Sequence, residues 1–296
     1  MKNRSNNLKL KNKLRVYLDL LRHSKKEQIK RQAIHDYNRF IEIRNALEKY
    51  DEIIKRKRIL DVGCGQKYPF SLLFHSYGNM VTGIDSDMVS TKYNIKKYIE
   101  IWQKNGLERM VKTFMGRILV QKSYYFYLKE AYNFPLKFED LDLRQMDVTN
   151  LSFDDEEFDI AISNAVFEHV KDVQKAVREL KRVMKKGAIT YHLIHLFTSL
   201  SGGHNLNWSN PDEYIPKNVP PWDHLRKNLF PAHVYLNKLR MKDYIQFFEN
   251  EFTILLECKA VKKEGKNLLT PEIKNELSEY SEEELITRDL IIIAKK

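Results

Sequence analysis

Short apolar runs that end close to acidic residues alternate with amphipathic stretches along most of this chain. Ile59-Leu60-Asp61-Val62 and Met80-Val81-Thr82-Gly83-Ile84 read as strands, followed by Leu143 to Val148, Phe158 to Val166 and Ala188 to about Phe197. The fourth run is nearly continuous in apolar residues, the pattern of a buried parallel strand. Between the runs, Pro69 to Phe74 opens a helix, and Val170, Val173, Val177 and Leu180 mark another whose polar face is basic. Tyr235 to Phe248 returns to helical spacing, and Phe252 to Cys258 and Leu290 to Ala294 read as two last strands around an acidic helical segment at 271–285. This β-α-β-α alternation predicts a doubly wound α/β sheet that binds ligands at the carboxyl ends of its strands.

Three stretches stand outside the alternation. Residues 8–22 and 26–52 have helical periodicity, with Leu10, Leu14, Tyr17 and Leu21 on one face and then Ile34, Tyr37, Ile41 and Leu47. They form an N-terminal helical extension, 1–55, ahead of a main domain, 56–296. The helical stretch from Met88 to about Tyr132 is longer than a crossover needs, which predicts an insertion at about 88–140. Residues 198–235 are polar, aromatic and proline-rich, an irregular insertion whose tryptophans and histidines argue against disorder.

Charge changes this picture. The net charge is +11, and residues 1–58 hold 18 Lys+Arg against 7 Asp+Glu, so the entire surplus precedes the first strand. A solvated helix face explains such a run as well as an anionic partner does, whether phosphorylated, lipid-linked or RNA. With 43% hydrophobic residues the chain can bury a sizeable core, and no run of 18 apolar residues occurs, so a cytoplasmic protein is expected. The two cysteines, Cys64 and Cys258, make neither a disulfide framework nor a zinc signature.

The candidate chemistry starts at Asp61-Val62-Gly63-Cys64-Gly65. A glycine turn lets backbone approach a ligand, and Asp85, 20 residues after Gly65, is spaced to accept hydrogen bonds from ribose hydroxyls. NAD would require a third glycine where Tyr68 stands. With Gly83-Ile84-Asp85, Met146-Asp147-Val148 and Asn164-Ala165-Val166-Phe167-Glu168-His169-Val170, the chain over about 56–296 resembles the class I S-adenosylmethionine-dependent methyltransferases, in particular their small-molecule, quinone-biosynthesis-like branch. The segments Ser201 to Asn205 and Pro220 to Arg226 look like those of enzymes of surface-polysaccharide biosynthesis. The resemblance implies a seven-stranded Rossmann-like sheet with an antiparallel last strand, and S-adenosylmethionine as cofactor. It implies cofactor contacts from Asp61, Gly63, Cys64, Gly65, Asp85, Ser86, Asp147, Val148 and Asn164. Lys67 and Tyr68, and Lys186-Gly187-Ala188 before the fifth strand, depart from the usual glycine patterns.

Such an enzyme aligns nucleophile, methyl and sulfur, and a hydroxyl acceptor also needs a base. His169, His195, His204 and His224 are the candidates for that base. No metal is expected, because His192, His195, His204, Asp223 and His224 lack a tight ligand spacing and His192 and His195 point to opposite faces of a regular strand. Phe167, Tyr191 and Trp222 could face a sulfonium, although core packing is the commoner role for the first two. Ser163-Asn164-Ala165-Val166 stands where amine methylation of nucleic acid uses an Asn/Asp/Ser-Pro-Pro-aromatic motif. The expected acceptor is therefore a small molecule or saccharide, methylated at oxygen. An RNA methyltransferase using the basic arm, and a protein that binds the cofactor without turnover, are the alternatives.

Overall fold

The computed structural model describes residues 26–87 and 121–296 apart from 52, 209, 210, 212, 213, 233 and 253, together with isolated positions between 99 and 111. The helix expected at 8–22 and most of 88–120 lie outside the described residues. In chain order the elements are α1 (Lys26–Glu48), β1 (Arg58–Val62), α2 (Pro69–Ser76), β2 (Met80–Asp85), α3 (Lys122–Tyr132), β3 (Asp142–Gln145) and β4 (Phe158–Asn164). There follow α4 (Val173–Val183), β5 (Met184–His195), α5 (Met241–Glu251), β6 (Ile254–Lys263), α6 (Pro271–Glu276), α7 (Glu282–Ile286) and β7 (Thr287–Lys295). No helix among the described residues is long and apolar enough to cross a membrane.

The chain divides into two compact units. One takes Met1–Lys55, Gly65–Asn79 and Met88–Leu143, and the other Arg56–Cys64, Met80–Asp87 and Arg144–Lys296. In the first, α1 packs against α2 and α3 through Ile29, Ala33, Phe40, Ile43 and Leu47. This stripe is rotated from the one the sequence suggests, since Ile34 is 39% exposed and only Leu47 belongs to both. Two apolar stripes share the helix, and the packing partner decides between them. Asp36 lies inside the buried stripe, where Tyr124 donates to it at 2.6 Å and Gln32 at 2.9 Å.

The second unit is built on a seven-stranded sheet of order β3-β2-β1-β4-β5-β7-β6. β1 runs parallel to β2 and β4, β4 parallel to β5, and β7 antiparallel to both β5 and β6. This is the doubly wound, Rossmann-like sheet with an antiparallel last strand that the sequence implies. β5 begins at Met184, earlier than expected, through an irregular register against β4 that Gly187 absorbs with a φ of 78°. α4 starts where Asp172 accepts from the Lys175 N–H at 2.9 Å and buries Val173, Val177 and Leu180 into the main core with Phe158 and Ile292.

The irregular stretch 198–235 is a folded part of this unit. Trp208, Val219 and Trp222 form a second core with Leu200, Ile273 and Leu285, and the Trp222 indole N–H donates to the Leu285 carbonyl at 3.1 Å. The burial of two tryptophans replaces regular secondary structure as the source of order here. Its chain ends therefore present fixed side chains beside the carboxyl ends of β4 and β5.

Candidate active site

At the carboxyl end of β1 the chain turns through Gly63, whose φ of 69° only glycine adopts without strain. The amides of Gly63 and Cys64 both donate to the Ile84 carbonyl, at 2.8 and 3.0 Å, which ties this turn to the end of β2. A Cβ on Gly63 would stand 2.3 Å from Val166, so the turn also presses on the segment after β4. Asp61 and Cys64 are buried at its base. Gly65 has a φ of 68° and open space where a Cβ would be.

Asp85 closes β2 and orders the next turn by accepting the Asp87 N–H at 2.8 Å, while the Ser86 carbonyl accepts from Gln145 at 2.9 Å. The Met146 amide donates to the Asp85 carbonyl, which brings the loop after β3 alongside. In that loop Asp147 Oδ1 takes both the amide and the hydroxyl of Thr149, at 2.8 and 2.9 Å. Oδ2 remains for a ligand amine. Val148 is buried in the main core, so only its backbone can face a ligand. Asn164, at the end of β4, carries a buried Oδ1 with no hydrogen-bond partner. An orphaned acceptor, an exposed acid and a tight glycine turn suit a nucleoside with donor groups.

The four histidines converge. His204 lies with its ring centroid 4.8 Å from that of His195 and 4.9 Å from that of His169. His224 is positioned by Gly203, where a Cβ would meet its Cγ at 2.5 Å. Its Nε2 donates to the Phe197 carbonyl at 2.8 Å, and burial lowers its pKa to about 4. Burial likewise lowers His204 to about 4 and His195 well below the ordinary imidazole value, so these rings are neutral at pH 7. His169 donates from Nδ1 to the Tyr235 carbonyl at 2.9 Å.

Other residues singled out in the sequence do not join them. His192 points the other way, as the strand period requires, and sits between Phe167 and Phe248 with ring centroids 4.9 Å from each. Phe167, Tyr191 and Trp222 are core residues. Asp223 accepts the Phe230 amide at 2.8 Å and shapes its own loop.

The methyltransferase domain family matches residues 122–191, which run from α3 through most of β5. Over that stretch the chain carries a methyltransferase domain. A putative S-adenosylmethionine-dependent methyltransferase from Listeria monocytogenes is similar in structure, with 13% identity, 85% of this chain and 95% of that chain covered, and a TM-score of 0.48. Phosphoethanolamine N-methyltransferase 2 of Haemonchus contortus, in complex with S-adenosyl-L-methionine, is similar at 14% identity, covering 88% of this chain and 52% of that one, TM-score 0.47. A Methanosarcina mazei methyltransferase gives 16% identity, 85% and 96% coverage and a TM-score of 0.46. No curated protein matches in sequence.

Two residues of this methyltransferase escape sequence reasoning. Glu168 is 1% exposed and both of its carboxylate oxygens are buried without a hydrogen-bond partner. Burial raises its pKa to about 8, against a smaller opposing pull from the backbone N–H groups of Glu168 and His195, which face it without completing a hydrogen bond of good geometry. Asn237 clamps the turn that carries Glu168 and His169: its Nδ2 donates to the carbonyls of Phe167 and Val170 at 2.7 and 3.0 Å, and its amide donates to that of Glu168 at 2.9 Å. Tyr244 fixes Asn237 in turn, donating to its Oδ1 at 2.9 Å. An acid directly before a histidine in Phe167-Glu168-His169-Val170 was the one available signal for the first; nothing in the sequence marks the second.

Proposed function

We propose that this methyltransferase acts on a hydroxyl oxygen of a small molecule or saccharide. Asp61, Gly63, Cys64, Asp85, Ser86, Asp147, Val148 and Asn164 hold the cofactor, and His169 is the base. The observation that carries this reading is the tautomer of His169. Its Nδ1 is committed to a carbonyl, which can only accept, so Nε2 bears the lone pair on a half-exposed ring just beyond β4.

The bound cofactor supplies an electrophilic methyl on a sulfonium. The chain's own residues would align the acceptor hydroxyl with that methyl, and His169 Nε2 would take the hydroxyl proton as the oxygen is methylated. The Asn237 clamp holds the imidazole in place while this happens. The neutral rings of His204 and His224 border the acceptor side and favour an uncharged polar group such as a sugar hydroxyl.

Calorimetric titration with S-adenosylmethionine and with NAD, repeated on Asp85→Ala, tests the cofactor half; a labelled-methyl screen of glycans, lipids and RNA tests the acceptor half. The expected result is saturable binding of the methyl donor alone, lost in the variant, and label on a hydroxyl compound. Binding indifferent to Asp85 would refute the cofactor residues, and label confined to RNA would refute the acceptor class.

A further inference from the structure

Glu168, His195 and His204 each bring one ligating atom to a common point, all within 4.8 Å of one another. Without an ion Glu168 holds its proton at pH 7, and its two oxygens lie buried between two imidazoles with no hydrogen bond to either, which is costly unless something compensates. The tautomers say what the compensation is. Ser201 donates from its hydroxyl to Glu264 Oε1 at 2.6 Å, so its oxygen accepts from His195 Nε2 at 2.9 Å. His195 Nδ1 is then the lone-pair nitrogen. His204 keeps a buried Nε2 with no partner, on a backbone held at a φ of 51° that a non-glycine residue adopts at a cost.

Two neutral imidazoles and one carboxylate are the donor set that holds zinc-class ions while leaving a position open. A ligating histidine ordinarily donates its other ring N–H to a carboxylate or to a group bonded to one, and His195–Ser201–Glu264 is such a relay. Ligand atoms around a tetrahedral zinc lie about 3.4 Å apart, which small rotations of these side chains would reach. The surrounding charge is balanced: Glu264 and Asp289 are buried nearby, and Arg288 and Lys262 add positive charge beside His195.

We propose that Glu168, His195 and His204 are the protein ligands of a divalent transition-metal site of the zinc class, with His195 held by the Ser201–Glu264 relay and a fourth position left to water or an acceptor oxygen. The ion would take the place of the Glu168 proton and fix the loop 201–204 against the end of β5. It also sets a Lewis acid beside His169, whose ring meets that of His204 edge-on at 4.9 Å.

The full chain, stripped with a chelator, is titrated with Co(II) and then Zn(II), with visible absorption as the readout and S-adenosylmethionine titration and far-UV circular dichroism on the same samples. One equivalent of Co(II) should bind with ligand-field bands of a low-coordinate site and be displaced by Zn(II). Glu168→Gln and His204→Ala should lose these bands while remaining folded, and Ser201→Ala should weaken Co(II) about 10- to 100-fold. His204 is only half-buried, so its variant keeps the test valid if Glu168→Gln fails to fold. Folded wild-type protein that binds no Co(II), or undiminished bands in His204→Ala, would overturn the proposal. Metal binding without cofactor binding would leave this site standing and remove the methyl-transfer reading instead.

Discussion

His169 Nδ1 lies 2.9 Å from the backbone carbonyl oxygen of Tyr235, and this bond decides which nitrogen of the ring can take a proton. Replacing His169 with Ala is expected to lower the turnover of a hydroxyl acceptor by about 10²- to 10⁴-fold, the usual contribution of a positioned base, with S-adenosylmethionine affinity unchanged. Tyr235→Phe keeps the carbonyl and should leave turnover intact. A labelled-methyl assay on both variants reads this directly; equal losses in the two would show that the Tyr235 side chain, not the tautomer, matters.

Gly63 and Gly65 have nearly the same φ, 69° and 68°, but different surroundings. A methyl group on Gly63 must displace Val166, whereas one on Gly65 meets nothing within 4 Å. Gly65→Ala should cost only backbone strain, about 1–2 kcal/mol. Gly63→Ala should cost more, because it adds overpacking of about 1–3 kcal/mol, and should weaken cofactor binding at least tenfold. Urea midpoints with parallel calorimetric titrations separate the two, and identical behaviour of the variants would contradict this account.

The contrast between these glycines shows where sequence reading succeeds. Asp61-Val62-Gly63-Cys64-Gly65 announces itself because strand, turn and acid are contiguous, and the strand runs announce the sheet because burial on both faces leaves continuous apolar stretches. The four histidines were legible as residue types, but their meeting depends on the fold of 198–235, which is held by Trp208 and Trp222 rather than by a periodic pattern. Glu168 and Asn237 acquire their roles from residues about 30 to 70 positions away, a separation that local spacing does not encode. The rotated stripe of α1 has the same origin: Ile34 and Ala33 both satisfy helical spacing, and only packing against α3 selects Ala33.

In the helical unit, Tyr124 and Asp36 are both buried and joined by a 2.6 Å hydrogen bond, and burial beside this carboxylate holds the phenol well above its ordinary pKa. The hydroxyl therefore stays protonated and donates at any accessible pH. Tyr124→Phe leaves Asp36 with the Gln32 amide and a weaker contact to His35, and is expected to cost about 1.5–3 kcal/mol, the range for a hydrogen bond to a charged group. Equilibrium denaturation measures it. A loss below about 0.5 kcal/mol would mean that water replaces the phenol.

Acid should destabilise the protein partly through His192. Thr190 donates its hydroxyl to the Ala161 carbonyl at 3.1 Å, so its oxygen accepts from His192 Nε2–H, and Ser163 donates to Nδ1 at 2.7 Å. The neutral ring is thus fully satisfied between Phe167 and Phe248, and a second ring proton would force the Ser163 hydroxyl to turn and accept instead of donate. Burial lowers the folded-state pKa to about 3, against 6.5 in the unfolded chain. Because the unfolded state binds the proton more readily, the stabilisation is fully present above pH 6.5 and is lost as pH falls toward 3. Its slope is about 1.4 kcal/mol per pH unit for this one group. His192→Asn should therefore lower stability at pH 7 yet flatten its decline between pH 6.5 and 4.5 by about one proton's worth, leaving the share of the other buried histidines. Urea unfolding of both proteins across that window gives the two slopes, and parallel curves would show that His192 does not titrate with unfolding.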